Sequence, residues 1–309
     1  MKITRIKATE FDLAKTLDSG QVFHWQSNGA GFVGTIGERA VYVEQNGDEL
    51  RAGGAPARVV ANYFALDHPL AEICSAFPRD DAMTAAAEFC CGLRILRQPK
   101  WECLATFICS SMKQVAHIRQ MSFALRQRFG ELAEIAAIGV YRFPSAQRLA
   151  RATEAELREC ALGYRAKNLL ATARAIAAGA ADLESWSSLT DEDLRERLCG
   201  LPGVGMKVAN CVMLFAYERL RAFPIDVWIE RVVRERYFPR RRNVTARKLR
   251  EFCASYFGEH GGYAQQYLFH HARKTKRRQS AAATAVAASL RRGAAATSER
   301  RSRVVTSGA

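Results

Sequence analysis

Between Val22 and Ala52 the chain reads VFHWQSNGAGFVGTIGERAVYVEQNGDELRA, short stretches of alternating apolar and polar residues cut by Asn28-Gly29, Gly37 and Asn46-Gly47. Alternation with period two puts successive side chains on opposite faces of a strand, and Asn-Gly supplies the positive φ angles of a tight hairpin turn. The segment therefore predicts an antiparallel meander. After about Pro56 the period changes. The stretches WECLATFICSSMKQVAHIRQMSFALRQRF, TEAELRECAL, AKNLLATARAIAAG and TDEDLRERLCG space their apolar residues three or four apart, and turn signals become sparse. That spacing predicts helices. Thr190 and Asp193 make a partial capping box, since the usual partner is Glu or Gln, and Asp191, Glu192 and Asp193 favour a helix N-terminus by their charge. The pattern thus predicts an α+β protein, an N-terminal antiparallel sheet packed on a larger helical body. Its expected divisions are residues 1–95, 96–275 and a basic tail, 276–309, whose Ala, Ser, Thr and Arg bury too little apolar surface to order it.

Composition adds a partner class. Forty-nine per cent of the 309 residues are apolar, which supports a folded core, and 46 Lys and Arg against 31 Asp and Glu leave a net charge of +15. Ten cations and one anion lie from Arg273 onward, so the body is basic in its own right. Such an excess points to a polyanion, either nucleic acid or an acidic membrane surface. No window approaches the roughly 18 apolar residues of a membrane span, and MKITRIKATE lacks the apolar segment of a signal peptide. A soluble, intracellular protein without a membrane partner is expected. Nine scattered cysteines, with no CxxC and no closely spaced C-terminal set of four, read as reduced core thiols rather than a disulfide framework, metal site or iron–sulfur centre.

The chemistry concentrates in TDEDLRERLCGLPGVGMKVANCVMLFAY. It scans as helix, Gly-rich hairpin, helix, with Leu194, Leu198, Leu201, Val204, Val208, Val212 and Phe215 spaced to pack the two helices together. Gly203 and Gly205 leave the turn bare, and the second helix's first amides are unpaired, so the turn can meet a phosphate without sequence preference. An ordinary helix–helix connection would use the same glycines for close packing. Lys207 opens the second helix. Asp226, in FPIDVW, precedes VWIERVVRERYF at a helix N-cap position. Taken singly they read as a surface cation and a cap; together they supply a nucleophilic amine and a carboxylate able to stabilise positive charge developing on a sugar.

LCGLPGVGMKVANCVMLFA followed by FPIDVW resembles the helix-hairpin-helix DNA glycosylases, and in detail the 8-oxoguanine DNA glycosylase family. TLDSGQVFHW, YFALDHPL, FICSSMKQVAHI, LGYRAKNLLATARAI and GGYAQQYLF agree with that family in order, over nearly all of residues 1–272. The resemblance implies a base-excision-repair enzyme that removes 8-oxoguanine from duplex DNA and cleaves the abasic strand, with no metal or cofactor, acting as a monomer. It casts Lys207 as the amine that displaces the base and holds the sugar as an imine, and Asp226 as the stabiliser of the oxocarbenium-like transition state. Gly20 would offer its carbonyl to N7–H of the lesion, a proton that guanine lacks. Cys211 and Phe269 would sandwich the flipped base and Gln265 would read its Watson–Crick edge.

The resemblance further implies that Arg165 contacts the cytosine left behind, that Tyr164 wedges beside it, and that Gly203 and Gly205 meet the DNA backbone. This chain departs from the pattern at Met112, Lys113 and Gln114, where much of the family has asparagines, at His117, where it has arginine, and at Trp228, where it commonly has a histidine near the phosphates. A methionine wedge still suits flipping. Opposite-base discrimination is what the changes weaken. Two other readings fit the same scaffold: a helix-hairpin-helix glycosylase for another damaged base, and a non-catalytic DNA-binding protein.

Overall fold

In a computed structural model, which describes residues 2–241 and 243–276, the period-two segment forms β2 (Gln26–Asn28), β3 (Gly31–Ile36), β4 (Arg39–Asn46) and β5 (Glu49–Gly53). Gly29, Gly37 and Gly47 take φ of 56–57° in the intervening turns, as the hairpin reading requires. A fifth strand, β1 (Ile3–Lys7), pairs with β5 from Ile3↔Gly53 to Lys7↔Glu49, and the antiparallel order is β1-β5-β4-β3-β2. Between β1 and β2 lies helix α1 (Leu13–Asp18), and α2 (Ala57–Tyr63) follows β5. Val41, Val43, Leu50 and Ala52 on one sheet face pack with Leu13, Leu17, Trp25, Val60 and Phe64. Gly34 is required there: a Cβ would lie 2.7 Å from the Trp25 ring.

The helical body comprises α3 (Leu70–Ser75), α4 (Asp81–Phe89), α5 (Lys100–Cys109), α6 (Val115–Phe129), α7 (Ala146–Ala150), α8 (Glu154–Leu157), α9 (Arg165–Ala177), α10 (Asp191–Cys199), α11 (Met206–Ala216), α12 (Val227–Tyr237), α13 (Ala246–Phe257) and α14 over 261–276. Helices α5 and α11 are buried on nearly every face, and Phe107 stacks on Phe215 with centroids 5.5 Å apart. Truncating Phe215 to Ala should cost about 3–5 kcal/mol. Every apolar residue picked out in the hairpin segment is buried. At α10 the Thr190 hydroxyl accepts from the Asp193 amide while Asp193, one methylene shorter than Glu, reaches only that hydroxyl, at 2.8 Å. Thr153 and Glu156 complete the box that this pair cannot.

Three details differ from the sequence reading. The long helical stretch from Trp101 is interrupted at residues 110–114, where Met112 takes a φ of 53°. LAEIAAIGVY forms a hairpin, β6 (Leu132–Ile135) and β7 (Ile138–Tyr141), whose turn residues Ala136 and Ala137 both have positive φ. Alanine in that region costs about 1–2 kcal/mol per residue, so the turn carries no sequence signal; burial of Ile135 and Val140 against Val33 favours it. All nine cysteines are free, but they are not all core: Cys91 is exposed and Cys74 and Cys199 are half-buried. Among the described residues no helix is long and apolar enough to cross a membrane. The basic tail, past Lys276, lies outside the described residues.

Candidate active site

The hairpin between α10 and α11 treats its two glycines differently. Gly203 has φ +81°, and a Cβ there would lie 2.7 Å from Cβ of Asn168 on α9, so the fold itself demands glycine. Close packing against α9 thus accounts for glycine at 203. Gly205 has an ordinary extended conformation and open space where a Cβ would stand. Packing gives no reason for glycine at 205. Gly205 is the N-cap of α11 and offers no side-chain cap, so the first amides of an eleven-residue helix are left for an external acceptor.

In the first turn of α11, the Lys207 amine donates to Ser110 Oγ at 3.0 Å and lies 5.2 Å from the centroid of the Phe107 ring. Ser110 ends α5 and is buried; its hydroxyl donates to the Phe107 carbonyl at 2.7 Å, which leaves its lone pairs for Lys207. Asp226 is the N-cap of α12 and accepts from the Ile229 amide at 2.8 Å. Burial raises the Asp226 carboxyl above the usual carboxylate range, while the Ile229 amide and the Lys207 charge pull the other way. Amine and carboxylate thus feel each other, yet the amine's hydrogen bond goes to Ser110. Cys211, one turn further along α11, is buried, and burial pushes its thiol up to about 11. At neutral pH it stays a thiol and does not compete with Lys207 as a nucleophile.

Gly20 and Phe269 meet. Gly20 has φ +88°, and a Cβ there would stand 3.0 Å from the Phe269 ring and 3.4 Å from Val115. Among the described residues no donor takes the Gly20 carbonyl. One turn before Phe269 on α14, Gln265 is buried with its Oε1 unpartnered. The unmatched Gln265 acceptor is buried, a cost the fold bears unless a ligand relieves it, and the Gly20 carbonyl, on a half-buried residue, is left for a donor as well. A cavity of about 590 Å³, lined among others by Asp18, Trp25, Arg119 and His270, includes neither Lys207 nor Asp226.

The residues assigned to the opposite base divide. Met112 is 92% exposed and held in the left-handed region, Tyr164 is 57% exposed, and His117 is exposed on the first turn of α6. Arg165 is 5% exposed: its guanidinium donates twice to the Ser111 carbonyl and once to Leu162, and lies 4.3 Å from the Tyr164 ring centroid. It braces the loop that carries Met112 and does not face solvent. Trp228, on α12, has Lys276 5.2 Å and Arg231 5.8 Å from its ring, giving that edge a cationic face. Sequence reasoning missed Ser110, because a serine in CSSM has no pattern of its own; only its contact with Lys207 marks it. The described residues hold no cluster of His, Cys, Asp or Glu able to bind a metal.

Comparison with known proteins adds a lineage to this geometry. Residues 3–104 match the family model for the 8-oxoguanine DNA glycosylase N-terminal domain, and residues 105–257 that of the HhH-GPD superfamily of base excision DNA repair proteins. The chain is 32% identical to the N-glycosylase/DNA lyase OGG1 of Arabidopsis thaliana, over 86% of this chain and 78% of that one. It is similar in structure to MBOgg1 in complex with a low affinity DNA ligand, with a TM-score of 0.85, 30% identity, and coverage of 89% and 97% of the two chains. The 8-oxoguanine glycosylase/lyase of Clostridium acetobutylicum, bound to duplex DNA with cytosine opposite 8-oxoG, gives a TM-score of 0.83 at 32% identity, covering 89% and 99%.

Proposed function

The chain belongs to the 8-oxoguanine DNA glycosylase family and is a base-excision-repair glycosylase with lyase activity; we propose that it removes 8-oxoguanine from duplex DNA with Lys207 as nucleophile. The observation that carries the assignment is the Lys207 amine, held by Ser110 within electrostatic reach of the N-cap carboxylate of Asp226. The lesion leaves the stack to reach that amine. Lys207 attacks the anomeric carbon, the base departs, and the amine becomes an imine to the opened sugar, whose C2′ proton is then acidic enough for β-elimination. Asp226 stabilises the positive charge that develops on the sugar as the glycosidic bond breaks.

Recognition rests on one proton. Guanine presents a lone pair at N7 and 8-oxoguanine an N–H, so the untaken Gly20 carbonyl attracts the lesion and repels the normal base. Gln265 pairs with the Watson–Crick edge, and Phe269 and Cys211 provide the ring and thiol faces of the slot. Met112 and Tyr164 enter the duplex as wedges, while Gly205, the bare α11 amides and the cationic edge around Trp228 hold phosphates. Incubating the protein with duplexes that each bear one defined lesion, in the presence of borohydride, tests lysine chemistry and substrate together. Covalent capture of the 8-oxoguanine duplex is expected. Capture only of a duplex bearing an alkylated base or hypoxanthine would overturn the substrate, and no capture at all would overturn the lysine.

A further inference from the structure

The loop that carries Gly20 is gripped from α14. Arg273 donates to the Asp18 carbonyl, and Gln266 donates from Nε2 to the Ser19 carbonyl at 3.0 Å. These are the two carbonyls before the one at Gly20, which no described donor takes. Gln266, His270 and Arg273 recur on α14 at helical spacing, as the grip requires, and Phe269 lies between them. The Arg273 guanidinium lies 5.8 Å from the Phe269 ring centroid, and its Nη1 stands 3.7 Å from where a Gly20 Cβ would be. It also pairs with the Asp18 carboxylate at 3.8 Å, which Lys274 holds as well. Arg273 further lies 3.3 Å from His270 Nδ1. Burial, and then the Arg273 charge, push His270 down to about 4, so a neutral imidazole accepts that contact. From the other side, Ser19 donates to Thr16 at 2.8 Å, and the Gln21 amide nitrogen reaches Ser19 Oγ at 2.9 Å and the Arg94 carbonyl at 2.8 Å.

We infer that Arg273 and Gln266 are specificity-positioning residues, a two-point clamp that holds the Gly20 carbonyl where only a purine with a proton on N7 is accepted. The inference rests on the reading of Gly20 given above and adds what makes that reading selective. A carbonyl on a free loop can turn away from a guanine lone pair and so lose the repulsion; a clamped one cannot. Because Arg273 also lies against Phe269, the same side chain sets carbonyl and ring together.

The test uses the full chain carrying Lys207→Gln, so that bound lesions are not excised. Affinity is measured for matched duplexes with 8-oxoguanine, guanine, or 8-oxo-7-deazaguanine, which replaces N7–H by C–H, each opposite cytosine. The parent should prefer 8-oxoguanine over both others. Adding Arg273→Met keeps an apolar stem beside Phe269 but removes the donors. It should compress the preference over the deaza analogue about tenfold, the scale of one well-placed hydrogen bond, and Arg273→Lys should restore part of it. If Arg273→Met weakens all three duplexes equally, the residue is merely structural and the clamp is overturned. A parent without preference for 8-oxoguanine over guanine would overturn the substrate assignment instead. Should Arg273→Met fail to fold, Gln266→Leu removes the other grip; an unchanged preference in that variant also overturns the clamp.

Discussion

Replacing Asp226 by Asn separates two roles that one carboxylate combines. As N-cap of α12 it accepts the Ile229 amide at 2.8 Å, and Asn caps a helix about as well as Asp. As an anion it is held against desolvation, which raises its carboxyl above the usual range. A carboxyl raised in the folded state contributes stability that is full below its unfolded pKa and is lost as pH rises through the folded one. At neutral pH the protein therefore carries this charge at a net cost. Asp226→Asn removes the charge and keeps the cap, so it should melt at or above the wild-type temperature at neutral pH, with the difference vanishing in acid. Asp226→Ala loses the cap too, worth about 1 kcal/mol, and should melt about 2–4 °C below the Asn variant in a chain of this size.

Excision should move the opposite way. Removing one preorganised group that meets developing charge costs about 10²–10³-fold in rate, and both variants lose that group. Wild-type excision should fall as Asp226 protonates, at a pH above the ordinary carboxylate range, and the Asn profile should lack that limb. Single-turnover excision with enzyme in excess and calorimetric melting, both across pH, measure the two effects. Asn excising at the wild-type rate would refute the electrostatic role. Asn melting as low as Ala would refute the separation of cap from charge.

Lys207→Gln should abolish borohydride trapping and base release while retaining affinity for the lesion duplex, measured by anisotropy; residual trapping would identify another amine. Ser110→Ala frees the Lys207 amine from its 3.0 Å contact, and should slow single-turnover excision about tenfold with little change in duplex affinity, given a net hydrogen-bond worth of about 1 kcal/mol. Gly205→Ala should fold normally, because a Cβ there meets nothing, yet weaken damaged and undamaged duplexes alike; Gly203→Ala, strained and set against Asn168, should lower Tm by several degrees. Met112 offers no donor to cytosine's O2 and N3, so excision opposite thymine, guanine or adenine should be appreciable, and Met112→Asn should sharpen the cytosine preference about tenfold or more, as each such contact is worth about 1–3 kcal/mol.

The helix-hairpin-helix and its two charges were legible because each part leaves a local mark: apolar spacing for α10 and α11, a glycine turn, and a lone Asp before an apolar run. The meander was legible for the same reason, since Asn-Gly turns announce themselves. What stayed hidden is held by contacts distant in sequence. The β6–β7 turn uses Ala136 and Ala137, whose positive φ is stabilised by packing against Val33 rather than by residue type. Arg165 could be matched to a family position, but only the fold shows its donors committed to Ser111 and Leu162. Ser110 lies 97 positions from Lys207, and Arg273 lies 255 from Asp18, so no window of sequence joins either pair.

The nucleophile and most of the recognition residues sit on separate helices that meet closely at Gly262. Gly262 opens α14 against Leu214 of α11, and any Cβ there would collide with that leucine and with the Leu220 carbonyl. From this pin Lys207 lies seven positions back along α11 and Phe269 seven positions forward along α14. At 1.5 Å per residue, each is about 10 Å from the pin along its own axis. Cys211 and Gln265 lie midway to it. The amine and the ring are thus related through a close helix contact rather than a shared loop, while the Gly20 loop is gripped from α14 and, on its other side, from Thr16 and Arg94. A change in the Gly20 loop or its clamp can therefore alter which base is accepted without displacing Lys207. A change at Gly262 must disturb both. Substitutions that broaden the lesion range while sparing Lys207 are accordingly expected around residues 18–20, 266 and 273.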